Sequence, residues 1–271
     1  MKQYFKEFFL KTWRESEEES RQSIIGQNGF SPNLKILIIL VYAAVGISIT
    51  RYFGNTAIFL PSLIVNPGKF GWWYCSFFFG TETGKFHSML FWIGMIVTFY
   101  LIIPVLIIKF IFREKLSDYG FRLQGIAKDY PIYLLMLGVM LPIVFLASTT
   151  QAFQSRYPLF HPSRETFMHF FIWWELAYFL QFVAVEFFFR GFMLHGTRSR
   201  FGFYSIFIMT IPYCLVHFGK PFGETIAAIF AGIILGTLSL KSRSIILGIL
   251  IHFSIAITMD VFALWRIGFF G

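Results

Sequence analysis

Seven apolar stretches, at about 34–51, 86–112, 131–149, 167–197, 202–218, 224–240 and 244–266, can each reach about 17 residues or more. That is the length a helix rising about 1.5 Å per residue needs to cross a hydrocarbon layer of about 30 Å. Lipid cannot hydrogen-bond a bare backbone, so segments of this kind fold as helices and turn their polar groups toward one another. A hydrophobic content of 56%, a charged content of 14% and a mean hydropathy of +0.66 exclude an ordinary soluble domain. The expected fold is therefore all-α, a polytopic transmembrane helical bundle of seven or eight spans. The eighth would come from residues 52–85, which are apolar but broken by Pro61, Pro67 and several glycines, and are read as an outer, partly membrane-dipped loop.

A net charge of +9 would point to nucleic acid in a soluble protein, but here the basic residues fall at helix ends, as the positive-inside rule expects. With the N-terminus inside, 15 Lys and Arg lie on the inner face and 7 on the outer, with Arg190 buried. The expected setting is a multi-pass protein of a bacterial inner membrane, with the lipid bilayer as a partner and no nucleic acid. The 21% aromatic content suits lipid-facing helices with interfacial belts such as Trp72, Trp73 and Tyr74. Cys75 and Cys214 form no CxxC and are set aside as thiolate ligands.

Residues 1–33 read as an N-terminal interfacial or cytoplasmic arm rather than a cleavable signal peptide. In it Phe5, Phe8, Phe9 and Trp13 recur at helical spacing opposite Lys2, Lys6 and Lys11. The alternative is a solvated arm packing on its own protein, and Glu17, Glu18 and Glu19 read as a solvated face. The remaining division is 34–112, a first transmembrane pair with an outer aromatic loop; 113–130, a basic cytoplasmic loop; and 131–266, the core.

The core holds the chemistry. Glu175, Phe179, Phe182, Glu186 and Arg190 share one stripe of the helix over 167–197, since steps of 3, 4 and 11 residues return near one azimuth at about 100° each. Glu186 and Arg190 form an i,i+4 pair in the favourable order. His217 precedes a helix-breaking Gly-Lys-Pro and His252 lies in a later span. At about 1.5 Å per residue from the inner boundary, Glu186, His217 and His252 lie roughly 18, 22 and 12 Å deep, so all three can meet near mid-membrane. Ionisable groups in hydrocarbon cost a few kcal/mol each on insertion scales and mark function by default. The bland reading is a self-neutralising pair with two histidines bonding between helices.

A carboxylate and two imidazoles can activate water directly, or hold a divalent metal such as zinc that lowers its pKa; HExxH spacing is absent. If a metal binds, Glu186, His217 and His252 are its ligands. Arg190 would orient Glu186 and keep it ionised. Glu175, Tyr213, Asp260 and Glu224 are supporting candidates: Asp260 as an outer-mouth acid and Glu224 as a helix-capping carboxylate. Gly232 and Gly236 form a GxxxG read as close helix packing, Tyr178 reads as a core residue or an interhelical hydrogen bonder, and His169 and His195 as polar residues near helix ends.

VEFFFRG, YCLVH and the late His252, with LSDYGFR, HFGKP and AGIILGTLSLKSRSIILGILIH, together resemble the CPBP family of intramembrane CAAX proteases and bacteriocin-processing (Abi) enzymes over about 113–266. The resemblance implies an intramembrane endopeptidase acting on a membrane-associated protein or peptide. Its EExxxR motif falls on Val185, Glu186 and Arg190, its FxxxH on Tyr213 and His217, and its HxxxN/D on His252 and Ala256. The first Glu, to which the family's water activation is assigned, is thus Val185, and the last amide or acid is Ala256. The expected roles are Glu186 as general base, His217 as the residue orienting water, His252 as oxyanion stabiliser or second orienting group, and Arg190 as organiser. Two rivals stand beside this: a catalytically inactive relative acting as membrane scaffold or chaperone, and a proton-coupled transporter.

Overall fold

The computed structural model describes residues 10–19, 32–56, 75, 77–79, 81–123, 126–160 and 163–269. The aromatic belt at Trp72–Tyr74, the prolines of the outer loop and Phe5, Phe8 and Phe9 of the arm lie outside them.

The chain is an integral multi-pass membrane protein built from helices. α1 is Pro32–Phe53 and α2 is Glu82–Phe112. Thr81 caps α2, its hydroxyl accepting from Gly84 N at 2.9 Å, and the turns at Thr98–Ile102 and Ile107–Phe112 are of π form. α3 is Ile126–Ala147. α4 runs as Phe167–Glu186 in α form, Phe187–His195 in π form and Gly196–Phe201 in α form. α5 is Ser205–Leu215, α6 Phe222–Ser242 and α7 Ile246–Arg266.

Among the described residues, six helical stretches are long and apolar enough to cross a membrane, by length and composition. One of them, His169–Leu215, supplies both α4 and α5. The chain reverses between them: Phe189 and Tyr213 stand 24 residues apart, about 36 Å along a continuous helix, yet their ring centroids are 5.2 Å apart. Gly202, at φ +50°, makes the turn, a backbone region where L side chains are strained. The stretch expected as a span at 202–218 is thus a helix of only 11 residues, packed back onto the π segment of α4.

α4 is the axis of the bundle. Its π segment, Phe187–His195, is buried at every residue, and Phe187, Phe188, Phe189 and Phe192 form the centre of the main apolar cluster. α6 lies against α5 because Gly232 and Gly236 permit it: a Cβ at Gly232 would meet the Thr210 side chain at 2.8 Å, and one at Gly236 would meet Ile206 at 3.1 Å.

The basic end of the bundle is clamped by the loop after α2. Leu116–Tyr119 is a 3-10 turn that inserts Tyr119, 1% exposed, beneath α4. Its hydroxyl donates to Glu114 Oε2 at 2.5 Å, and Lys35 Nζ pairs with the same carboxylate at 2.6 Å. Burial, then the neighbouring Glu114 carboxylate, push the Tyr119 phenol well above its usual range. Close approach is allowed by Gly191, whose Cβ would sit 2.9 Å from the Tyr119 carbonyl oxygen. The helical segment 10–19 docks at the same end. Glu17 Oε1 accepts from Phe203 N at 3.3 Å and Glu19 pairs with Arg243, so two of the three acids read as a solvated face are engaged.

At the opposite end, the segment between α3 and α4 folds over the helices. Phe153, Tyr157 and Phe160 are buried there, and Phe160 packs on Trp174 of α4 with centroids 5.9 Å apart.

Candidate active site

Glu186 is the last residue of the α-form part of α4 and is fully buried. Its Oε1 accepts from Arg190 Nη1 at 2.9 Å, one turn on, and from His252 Nδ1 of α7 at 2.9 Å. Oε2 is buried without a partner. It faces Gly248, one turn before His252 on α7, where a Cβ would stand only 2.9 Å away. That glycine is the space in which the carboxylate sits. Sequence reasoning missed it, although an i,i+4 glycine ahead of a membrane histidine is a legible signal.

Arg190 balances the charge. Its guanidinium lies over the Tyr213 ring at 4.0 Å, a cation–π contact, and Nη2 donates to the Ala231 carbonyl at 3.5 Å. Tyr213 is the hub of the site. Its ring contacts His217 with centroids 4.8 Å apart and His252 at 6.3 Å, and its carbonyl accepts from His217 Nδ1 at 2.8 Å. Both imidazoles therefore spend Nδ1–H on a fixed acceptor and, in the neutral form, keep a bare Nε2. His252, with 19% of its side chain accessible and Phe182 against its ring at 4.5 Å, is held at the edge of the buried pair.

Other sequence candidates lie elsewhere. Val185 packs against the main apolar cluster, and Ala256 is buried among Phe170, Trp174, Tyr178 and Phe182. Glu175 and Asp260 lie further along α4 and α7; Asp260 Oδ2 accepts from Trp174 Nε1 at 3.1 Å. Glu224 is in the first turn of α6, but its carboxylate binds Lys220 Nζ at 2.6 Å and the Tyr157 hydroxyl at 2.6 Å instead of capping backbone. These contacts tie the far-end segment to the turn carrying His217, whose carbonyl accepts from Thr225 Oγ1 at 3.1 Å. His195 is buried in the π segment rather than at an exposed helix end, with Nε2 3.0 Å from Ser239 Oγ and Nδ1 3.2 Å from Arg198 Nη1. Arg198 can only donate, so Nδ1 accepts and Nε2–H donates to the serine. That tautomer cannot take a proton from Ser239, so the pair is not a nucleophile and its base.

Were a divalent ion to bind, the bare Nε2 atoms of His217 and His252 and the unpartnered Oε2 of Glu186 are the atoms that would hold it, since Glu186 Oε1 already accepts two N–H donors and both Nδ1 atoms are engaged. Among the described residues no three His, Cys, Asp or Glu side chains come together as ligands of one ion.

Residues 167–258, from the start of α4 to the middle of α7, match the family of Rce1-like type II CAAX prenyl endopeptidases. Over that stretch the chain is similar to the CPBP/CAAX proteases. No curated protein and no solved structure matches it. The matched segment contains Glu186, Arg190, Tyr213, His217, Gly248 and His252, and excludes Asp260. The family is one of intramembrane endopeptidases, so the geometry can be weighed against peptide hydrolysis.

Proposed function

We propose that the chain is an intramembrane endopeptidase that hydrolyses a peptide bond in a membrane-associated protein or peptide, with the N-terminus and the basic end of the bundle inside. The observation that carries the reading is the bond from His252 Nδ1 to the buried Glu186 carboxylate. A carboxylate behind an imidazole orients the ring, fixes its tautomer and stabilises the imidazolium once it takes a proton. Glu186 as direct base is less well supported, since Oε1 serves two donors and Oε2 is enclosed against Gly248. His252 Nε2 then takes the proton of a water whose oxygen attacks the peptide carbonyl carbon, and His217 Nε2 orients that water. As the C–N bond breaks, His252 returns the proton to the leaving nitrogen, giving a carboxylic acid and an amine. In the protonated state the same Nε2–H is available to the carbonyl oxygen. Arg190 holds Glu186 ionised and makes the buried pair neutral. No step uses a metal.

The test is cleavage by purified protein: activity retained in full by His252→Ala or Glu186→Gln removes the proposal. A second reading, a catalytically silent relative acting as scaffold or chaperone, is favoured by the apolar packing of Val185 and Ala256, where the family motif carries polar groups. Cellular function that survives Glu186→Gln and His217→Ala but not Gly232→Leu would select it.

A further inference from the structure

Glu175 lies 11 residues before Glu186 on α4, about 16 Å away by helix rise. It is 8% exposed, and neither carboxylate oxygen has a partner. Asp260 of α7 is 1% exposed; one oxygen accepts from Trp174 Nε1 and the other, Oδ1, has no partner. Trp174, the residue before Glu175 on α4, donates to Asp260 of α7, which packs on α4, and stacks on Tyr178, one turn past Glu175. Neither takes part in an ion pair with Lys, Arg or His among the described residues. Two buried acids on packed helices thus leave three oxygens without a partner within hydrogen-bond distance, although the Leu159 backbone N–H also lies toward the Asp260 carboxyl group.

Burying such oxygens costs free energy until donors reach them, and a positive donor recovers most. The surroundings suit a cation. Trp174 and Tyr178 stack with centroids 4.9 Å apart and Phe160 packs on Trp174, so aromatic faces adjoin the carboxylates. The Glu186–Arg190 pair along the same helix carries its own counter-charge; Glu175 and Asp260 await theirs.

We infer that Glu175 and Asp260 form a recognition site for a basic side chain of the substrate. The position of the cleaved bond rests on the peptidase reading; the binding of a cation does not. Asp260 is 8 residues from His252, about 12 Å by rise, and Glu175 about 16 Å from Glu186 on the same measure. An extended peptide covers roughly 3.3–3.6 Å per residue, so the basic residue stands about four or five positions from the bond that is cut.

The experiment uses the full chain in phosphatidylglycerol nanodiscs, which bring no ammonium group of their own. n-Butylammonium serves as the lysine mimic and n-butanol as its neutral control, with the thermal unfolding midpoint followed against concentration. The expected result is a saturable rise with the amine alone, at least tenfold weaker in apparent affinity in Glu175→Gln and Asp260→Asn. Without amine these variants unfold at or above the wild-type midpoint, because each removes an unpaired acid. Glu186→Gln keeps amine binding while losing cleavage, which separates the two readings. A lysine walked along an apolar anchored peptide gives the most product when it falls four or five positions from the cut. No amine-specific rise, or equal amine affinity in Glu175→Gln and Asp260→Asn, overturns the inference while leaving the peptidase reading intact. Equal product at every lysine position overturns the spacing.

Discussion

Gly248→Ala adds one methyl to α7 and touches neither Glu186 nor His252 covalently. The new carbon would stand 2.9 Å from Glu186 Oε2, where ordinary van der Waals contact lies near 3.5 Å, so the carboxylate must retreat by about 0.5 Å or more. Gly248 and His252 are one turn apart on one helix face, and the retreat away from α7 stretches the 2.9 Å bond between Oε1 and His252 Nδ1 beyond the usual limit of about 3.2 Å. A hydrogen bond to a charged group is worth about 1.5–3 kcal/mol, which at about 1.36 kcal/mol per decade is roughly a tenfold to hundredfold fall in kcat/KM. Ring 15N NMR of histidine-labelled protein reports the same event directly: the His252 Nδ1–H signal moves or broadens, while that of His217, held by the Tyr213 carbonyl, does not. An unchanged His252 signal together with unchanged cleavage would refute the claim that Gly248 seats the carboxylate.

Arg190→Met leaves Glu186 as a lone buried charge and is expected to destabilise the protein by about 3–5 kcal/mol, with most of the loss recovered in the double variant Glu186→Leu/Arg190→Met; SDS or thermal denaturation measures both. Tyr119→Phe should cost about 1–2 kcal/mol, because Glu114 loses the phenol as a donor. The pH profile has a definite sign. The buried phenol titrates above the unfolded value near 10, so its stabilisation is complete below about pH 10 and is lost as pH rises further, a loss that Tyr119→Phe does not show. Gly232→Leu drives a side chain into Thr210, 2.8 Å from where its Cβ would start, and should separate α5 from α6, lowering the thermal midpoint and the activity together.

The spans were legible because lipid imposes one rule on every backbone: apolar runs at 34–51, 86–112, 131–149, 224–240 and 244–266 correspond to α1, α2, α3, α6 and α7. The turn at Gly202 was less so, since an apolar count cannot tell a short helix folded onto its neighbour from one crossing the membrane. On α4, a wheel of about 100° per residue describes Glu175 to Glu186, but the π segment from Phe187 changes the pitch, and nothing in FFFRGFMLH announces it. Partners across helices were the hardest to read. Depth arithmetic brings Glu186 and His252 to similar levels, but that one carboxylate oxygen takes both Arg190 and His252, while the other rests on Gly248, depends on how α4 and α7 rotate against each other. For the same reason Asp260 found Trp174 and Glu224 found Tyr157, contacts 86 and 67 residues apart in sequence.

The central claim is that His252, oriented by Glu186, activates water with His217. Its most direct test is mass-spectrometric detection of cleavage of membrane-anchored peptides by the purified protein, run in parallel with His252→Ala and His217→Ala under conditions where both variants are shown to be folded. A general base contributes about 10²–10⁴-fold, so the account predicts defined products from the wild type and at least a hundredfold fall in each variant. Products formed at the wild-type rate by either variant would contradict it.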